Sequence, residues 1–261
     1  MKIGVCRGLE DFEGMKTASS VGVDYWETGF GCLARFSDDE IARSEEMLES
    51  FSLKCRASNG FIPGEMKLVG DSIDYGALSE YINRGFERAK RLGVEKVVFG
   101  SGNARSFEDG YSLEKAKEQL AFFLSEYAGP TAKKAGCIIV MEPLRFCEST
   151  MIHTVKDGVE IAEMCGCDNV FGLADLYHVY GNGDSISGIA DFKGKVKHSH
   201  LAEPVNRRYP SANDSDETKE MYKSFFKALK EAGCETCSIE ARTDNFAADI
   251  GEAVQLLKSL S

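Results

Sequence analysis

The stretch "KKAGCIIVME", residues 133–142, places two lysines before Gly136, a short apolar run after it, and Glu142 at its end. Basic residues followed by a glycine are typical of the last turn of a helix and the position just beyond it. A short β-branched run between turn signals is typical of a buried strand. The stretch therefore predicts a helix, a tight turn and a strand that ends on a carboxylate.

The same order recurs along the chain, as in "RLGVEKVVF" from residue 91 and "KEAGCETCSI" from residue 230. Helical spacing of apolar residues separates the runs, for example over 75–93 and 218–233. Eight candidate strands lie at 2–6, 22–27, 51–56, 96–101, 137–142, 169–175, 195–200 and 236–241. Eight strands that alternate with helices favour an α/β fold, a single (β/α)8 TIM barrel over residues 1–261, with an open doubly wound sheet as the alternative.

The composition of the chain limits the kinds of partner and the cellular compartment that we expect. The formal net charge of −11 disfavours nucleic acid and anionic membrane surfaces. The first apolar run is too short for a signal-peptide core or a membrane span, so we expect a cytoplasmic protein. Nine cysteines, an odd number, suit a reducing compartment. The pairs Cys165/Cys167 and Cys234/Cys237 suggest either a zinc or redox site or simple packing before a strand, and the spacing favours packing.

Four consecutive predicted strands end on polar side chains. In a barrel, the carboxyl ends of the strands carry the chemistry. The ends of the fifth to eighth strands carry Glu142, Asp175, His200 and Glu240. Three carboxylates and an imidazole at one rim repel one another unless a cation compensates them. We therefore expect one divalent metal ion, Mn²⁺, Mg²⁺ or Co²⁺, with Zn²⁺ as an alternative. His198, two residues before His200, lies one layer deeper and is expected to be a hydrogen-bonded core residue or a partner of the ligands.

Three segments resemble the xylose isomerase-like TIM-barrel superfamily, which holds sugar phosphate isomerases and epimerases, ketose 3-epimerases and family 2 AP endonucleases. The segments are "EPLRFCES" at 142–149, "DLYH" at 175–178 and "HSHLAEPVNRRYP" at 198–210. The resemblance implies metal ligation by Glu142, Asp175, His200 and Glu240. It also implies substrate contacts from Glu148, His178 and Arg207, with Arg208 as the competing choice for the last. Arg145 stands where the epimerases usually have asparagine, and this departure falls in a substrate-binding loop.

The resemblance predicts a metal-dependent isomerase or epimerase acting on a sugar or sugar phosphate, with a homodimer or homotetramer as the expected assembly. Glu142 and Glu240 would transfer a proton through an enediolate, one on each face. A metal-dependent dehydratase of a cyclic polyol or keto acid is the alternative. An AP endonuclease needs more histidines than the four in this chain, and a non-catalytic sugar-binding role is a further class. Loop residues Trp26, Asn59, Phe61 and Arg105 are candidates for the sugar pocket, with packing as the alternative for Trp26 and Phe61.

Overall fold

The computed structural model describes residues 1–261, and its centre is a closed barrel of eight parallel strands. Each strand pairs with the next along the chain, and the eighth pairs with the first. The strands are β1 Lys2–Cys6, β2 Tyr25–Gly29, β3 Cys55–Asn59, β4 Lys96–Phe99, β5 Ile138–Met141, β6 Val170–Asp175, β7 Val196–Leu201 and β8 Thr236–Ile239. The prediction of a (β/α)8 barrel is confirmed.

Helices connect successive strands and form the outer layer. They are α1 Phe12–Ser20, α2 Phe30–Arg35, α3 Asp38–Ser50, α4 Tyr75–Leu92, α5 Gly102–Arg105, α6 Leu113–Phe123, α7 Gly129–Ala135, α8 Val155–Met164, α9 Leu176–Asn182, α10 Asp216–Ala232 and α11 Phe246–Leu260. A π-helical turn, Leu124–Ala128, joins α6 to α7, and a 3-10 helix, Ser187–Phe192, precedes β7. None of these helices combines the length and the apolar composition that a membrane-spanning helix needs.

The stretch at 133–142 has the structure that its sequence predicts. Helix α7 ends at Ala135, and Gly136 adopts the left-handed conformation with φ 81°. Its N–H donates to the carbonyl of Lys133, which closes the helix and turns the chain into β5. Glu142 follows directly after β5, at the carboxyl end of the barrel.

The predicted position of the third strand is wrong: the strand begins at Cys55 and not at residue 51. The run at 51–56 is mostly a turn, since α3 ends at Ser50 and Ser52 has a positive φ of 53°. The apolar Leu53 is buried in that turn, and its N–H donates to the carbonyl of Leu48. The strand itself, β3, begins at Cys55, so burial in a helix-to-strand turn gave the same apolar signal as a strand.

Side chains alternate between the inside of the barrel and the helical layer. The large core lies between strands and helices, whereas Val98, Val140 and Leu173 form a separate small apolar cluster inside the barrel. The next inward position on β5 and β6 is polar, Glu142 and Asp175 respectively. Along β5 and β6 the inward side chains therefore change from apolar to charged toward the carboxyl end. At the opposite end, Cys165 and Cys167 precede β6, Cys234 precedes β8 and Cys237 lies within β8, and all four cysteines are free.

Helix α4 packs closely on α2 at Gly85, where an added Cβ would overlap the ring of Phe30. We expect Gly85→Ala to lower the free energy of unfolding by about 1–3 kcal/mol, because the overlap outweighs the better helix propensity of alanine. Gly251→Ala in α11 is the matched control, since its Cβ would make ordinary contact with Val21. The control should stabilise the protein by about 0.5–1 kcal/mol. Urea unfolding measures both, and equal effects of the two substitutions would contradict the packing argument.

Candidate active site

Glu142, Asp175, His200 and Glu240 meet at the carboxyl end of the barrel. One ligand atom of each lies within 4.8 Å of those of the other three. Nδ1 of His200 is 3.1 Å from Oε1 of Glu142 and 3.7 Å from Oε2 of Glu240. Asp175 accepts the N–H of Tyr177 at 2.7 Å and so also caps helix α9. The structure thus brings together the four residues expected as metal ligands.

The two glutamates of this group have opposite pKa shifts. Burial, reinforced by the charges of Glu142 and Asp175, raises the pKa of Glu240 to about 7 against the charges of His200 and Arg207. Burial acts in the same direction on Glu142, but the hydrogen bond and charge of His200 outweigh it and lower the pKa of that carboxyl. Two carboxyls with separated pKa values can hold one proton between them, which is a property of acid–base pairs.

Glu148, His178 and Arg207 border the same cavity, which has a volume of about 380 Å³. Its lining includes the following residues: Gly60, Gly100, Ser101, Gly102, Asn103, Glu142, Leu144, Glu148, His178, Arg207 and Glu240. Nδ1 of His178 is buried without a hydrogen bond, although Oε2 of Glu148 lies 3.3 Å away. Nε2 of the same ring is 3.6 Å from Oδ2 of Asp175. The imidazole therefore has a polar atom available at the cavity wall.

The two adjacent arginines have different surroundings. Arg207 forms an ion pair with Glu240 and lies 3.7 Å from Glu148. Its backbone has a positive φ of 56°, an uncommon conformation for a residue with a side chain. Arg208 pairs with the buried Asp214 outside the cavity. The geometry places Arg207, not the competing Arg208, beside the cluster of acids.

Of the four loop residues suggested for the sugar pocket, three are buried away from the cavity and one contacts the cluster of acids. Trp26, Phe61 and Arg105 are fully buried and do not line the cavity. The Arg105 guanidinium donates to the carbonyls of Phe99 and Glu142, so it supports the backbone of two strand ends. Trp26 and Phe61 therefore follow the packing alternative, and for Arg105 the pocket interpretation was wrong. Asn59 does reach the site, with Nδ2 donating to Oε1 of Glu240 at 3.3 Å.

The glycine-rich segment "GSGN", residues 100–103, gives room to the acids. A Cβ on Gly100 would overlap the carboxylate of Glu142, and one on Gly102 would overlap the carbonyl of Glu148. Ser101 has a positive φ of 45° and accepts the N–H of Ile62 at 2.8 Å. Close approach to the Glu142 carboxylate therefore explains Gly100, and close approach to the backbone at Glu148 explains Gly102.

Glu27, which was not predicted as a site residue, is a fully buried carboxylate on β2 directly below the cluster. Its Oε1 is 2.8 Å from Nε2 of His200, and its Oε2 is 2.9 Å from Nε2 of His198. Burial would raise the pKa of Glu27, but the two histidines outweigh it and lower it well below its usual range. Burial would lower the pKa of His200, and the charge of Glu27 instead raises it well above the ordinary value. The one sequence signal was a charged residue within the strand "YWETG", residues 25–29.

The cluster suits a divalent cation on its own chemistry. Three carboxylates and one imidazole nitrogen are directed at one point, and the donors are mainly oxygen, which favours a hard or borderline ion. Three like charges at this separation repel one another, and a bound cation would offset that repulsion. The residues present therefore fit a divalent metal ion.

The chain is similar to known proteins in its family pattern and in its fold. The family model described as xylose isomerase-like TIM barrel matches residues 15–260. No curated protein matches the chain in sequence. The structure is similar to 3-keto-D-glucoside 4-epimerase from E. coli, with 20% identity, 99% of each chain covered and a TM-score of 0.82. It is also similar to D-allulose 3-epimerase from Methylomonas sp. in complex with D-allulose, with 15% identity, 100% of this chain and 97% of the other covered, and a TM-score of 0.84.

A third similar structure is a family 2 AP endonuclease from Brucella melitensis, with 19% identity, 96% and 97% of the chains covered, and a TM-score of 0.77. At these identities the structural neighbours show a shared fold and nothing finer. The family model covers nearly the whole chain, from the first helix to the last. The chain therefore belongs to the xylose isomerase-like TIM barrel family.

Proposed function

We propose that the protein is a divalent-metal-dependent isomerase or epimerase that moves a proton on a sugar or sugar phosphate. The observation that carries the proposal is the convergence of Glu142, Asp175, His200 and Glu240 on one point beside a sugar-sized cavity. Two neighbours of the same fold are named as sugar epimerases, which agrees with this choice.

Four residues would hold the ion: Glu142, Asp175, His200 and Glu240. When bound, the ion supplies Lewis-acid polarisation of the substrate oxygens, which acidifies the C–H bond between them. Glu142 and Glu240 then act as base and acid. One removes the proton from carbon, and the other delivers a proton to the opposite face of the planar intermediate, or to the neighbouring carbon.

The other residues of the cavity would bind and orient the substrate. Arg207 already contacts Glu240, so it can steady that carboxylate and also donate to a hydroxyl or carbonyl oxygen. The free Nδ1 of His178 can bond a second substrate oxygen. Substrate held at these two points presents its carbon between the two glutamates.

The test of the proposed function is proton exchange. A panel of ketoses, aldoses, cyclic polyols and their phosphates is incubated with the protein and Mn²⁺ in D₂O, and the products are examined by NMR and mass spectrometry. We expect deuterium at one carbon and a product of otherwise unchanged composition. Loss of water would instead indicate a dehydratase, and no exchange with any compound would contradict the proposal.

Replacement of either glutamate should remove proton transfer. We expect Glu142→Gln and Glu240→Gln each to lower kcat by about 10²–10⁴-fold on the substrate found in the panel, because the amide cannot accept the proton. Steady-state kinetics at saturating Mn²⁺ provides the measurement. A double variant as fast as the parent would exclude the two-glutamate mechanism.

The adjacent arginines provide a matched pair. Arg207→Lys should lower kcat/KM by about tenfold or more, because lysine cannot contact Glu240 and a substrate oxygen with a planar fork. Arg208→Lys alters a pair with Asp214 outside the cavity and should change thermal stability more than kcat/KM. Equal losses of kcat/KM in both variants would contradict the assignment of Arg207.

Metal removal should destabilise the protein. An ion that binds only the folded state adds about 2.7 kcal/mol at a free concentration of 100 times its Kd, so Mn²⁺ should raise the Tm of chelator-treated protein. Asp175→Asn removes one ligand charge and should reduce that rise. A Tm that ignores Mn²⁺ in the parent would contradict metal binding.

A further inference from the structure

Glu27 is the centre of a hydrogen-bond network that runs down the barrel axis from the acid cluster. Both of its carboxylate oxygens are occupied by donors from the interior. Oε1 faces Nε2 of His200 at 2.8 Å, and Oε2 faces Nε2 of His198 at 2.9 Å and also accepts from Ser238. Glu27, His198, His200 and Ser238 have no exposed surface. Water therefore does not compete for these contacts.

The lower end of the network allows its donors to point toward Glu27. Nζ of Lys96 donates to Oγ1 of Thr236 at 2.8 Å, and a lysine ammonium can only donate. The hydroxyl proton of Thr236 is then available to Nδ1 of His198, which lies 2.8 Å away. With Nδ1 as acceptor, the ring of His198 carries its proton on Nε2 and donates to Glu27. With this tautomer, the series of hydrogen bonds that starts at Lys96 ends at the carboxylate of Glu27.

We propose that Glu27 is the positioning residue of the metal site: it holds the proton of His200 on Nε2 and leaves Nδ1 as the lone-pair ligand. This inference rests on the proposed function, since it assigns a role relative to the bound ion. Nδ1 is the nitrogen that faces Glu142 and Glu240. A carboxylate behind a ligating imidazole fixes the tautomer and ring orientation and makes the ligand nitrogen more basic.

The other arrangement of these groups is a second metal site formed by Cys6, Glu27 and His200, whose donor atoms also lie close together. The hydrogen bonds disfavour it. The oxygens of Glu27 already accept from both histidines, and the thiol of Cys6 is 4.0 Å from Nε2 of His200. A metal at that point would have to replace the proton of Nε2 and break the contact with Glu27. The network therefore favours a supporting role for Glu27.

Metal affinity provides the first test. Calorimetric titration with Mn²⁺ compares the parent with Glu27→Gln, which keeps the size of the side chain and removes its charge. We expect Glu27→Gln to weaken Mn²⁺ binding by about 10–100-fold. Ser238→Ala is the matched control, because it removes a donor to the same carboxylate and leaves both histidine contacts intact; its loss of affinity should be much smaller. Glu142→Gln shows the effect of losing a direct ligand.

The outcomes separate the two proposals. Equal Mn²⁺ affinities for the parent and Glu27→Gln would overturn the role of Glu27 and leave the proposed function standing. Equal losses in Glu27→Gln and Ser238→Ala would also overturn it, since a general disturbance of the core would then explain both. A parent that binds no Mn²⁺ would overturn the proposed function and this inference with it.

Tautomers of the unmutated protein provide a second test that needs no variant of Glu27 to fold. The chain has four histidines, and long-range ¹H–¹⁵N NMR spectra of the Zn²⁺-loaded protein resolve the two nitrogens of each ring. Single replacements of His153 and His178 identify the two rings inside the barrel. We expect Nε2 of His200 to carry the proton and Nδ1 to bind the ion. Protonation of Nδ1 with Zn²⁺ on Nε2 would overturn the proposal.

Discussion

The concentration of negative charge at the carboxyl end of the barrel is the constraint on which the site depends. Glu142, Asp175 and Glu240 converge there, and Glu27 adds a fourth carboxylate below them. Such groups repel one another and lose hydration, so each needs a positive or donating partner. Nε2 of His200 supplies that partner to Glu27, and Arg207 supplies it to Glu240 from the side. The remaining excess of negative charge is what a divalent ion would balance.

Two local backbone features that lower stability accompany this cluster of charges. Arg207 reaches the acids from a backbone with positive φ, a conformation that costs of order 1–3 kcal/mol for residues with a side chain. Gly100 gives up a side chain so that the carboxylate of Glu142 fits against the backbone. Such costs persist where the surrounding structure fixes the conformation, and here a large apolar core between strands and helices does so. Packing between the strands and the helices thus stabilises the strained backbone at the carboxyl end of the barrel.

Local patterns predicted the strands and their terminal acids because each signal lies within a few residues. Gly136 turns the chain where the sequence places it, and Glu142 follows the strand as expected. Glu27 escaped prediction because its partners lie more than 170 residues away in the chain. Within "YWETG" nothing distinguishes a buried network carboxylate from a surface one. Only closure of the barrel, which brings β2 within reach of β7, places that residue beside the two histidines.

Arg145 shows how a departure from the family pattern can change the rim without changing the cluster of acids. Its guanidinium stacks on the ring of Tyr177 at 3.5 Å and donates to the carbonyls of Tyr177 and Pro204. Arg207 lies over the ring of the same tyrosine at 4.8 Å. One side chain after β5 is thereby joined to α9 and to the loop that carries Arg207. Nη2 of Arg145 is used on both backbone carbonyls, whereas its Nε is buried without a hydrogen-bond partner. The departure therefore changes the contacts between the loops at the rim, while the four converging side chains keep their arrangement.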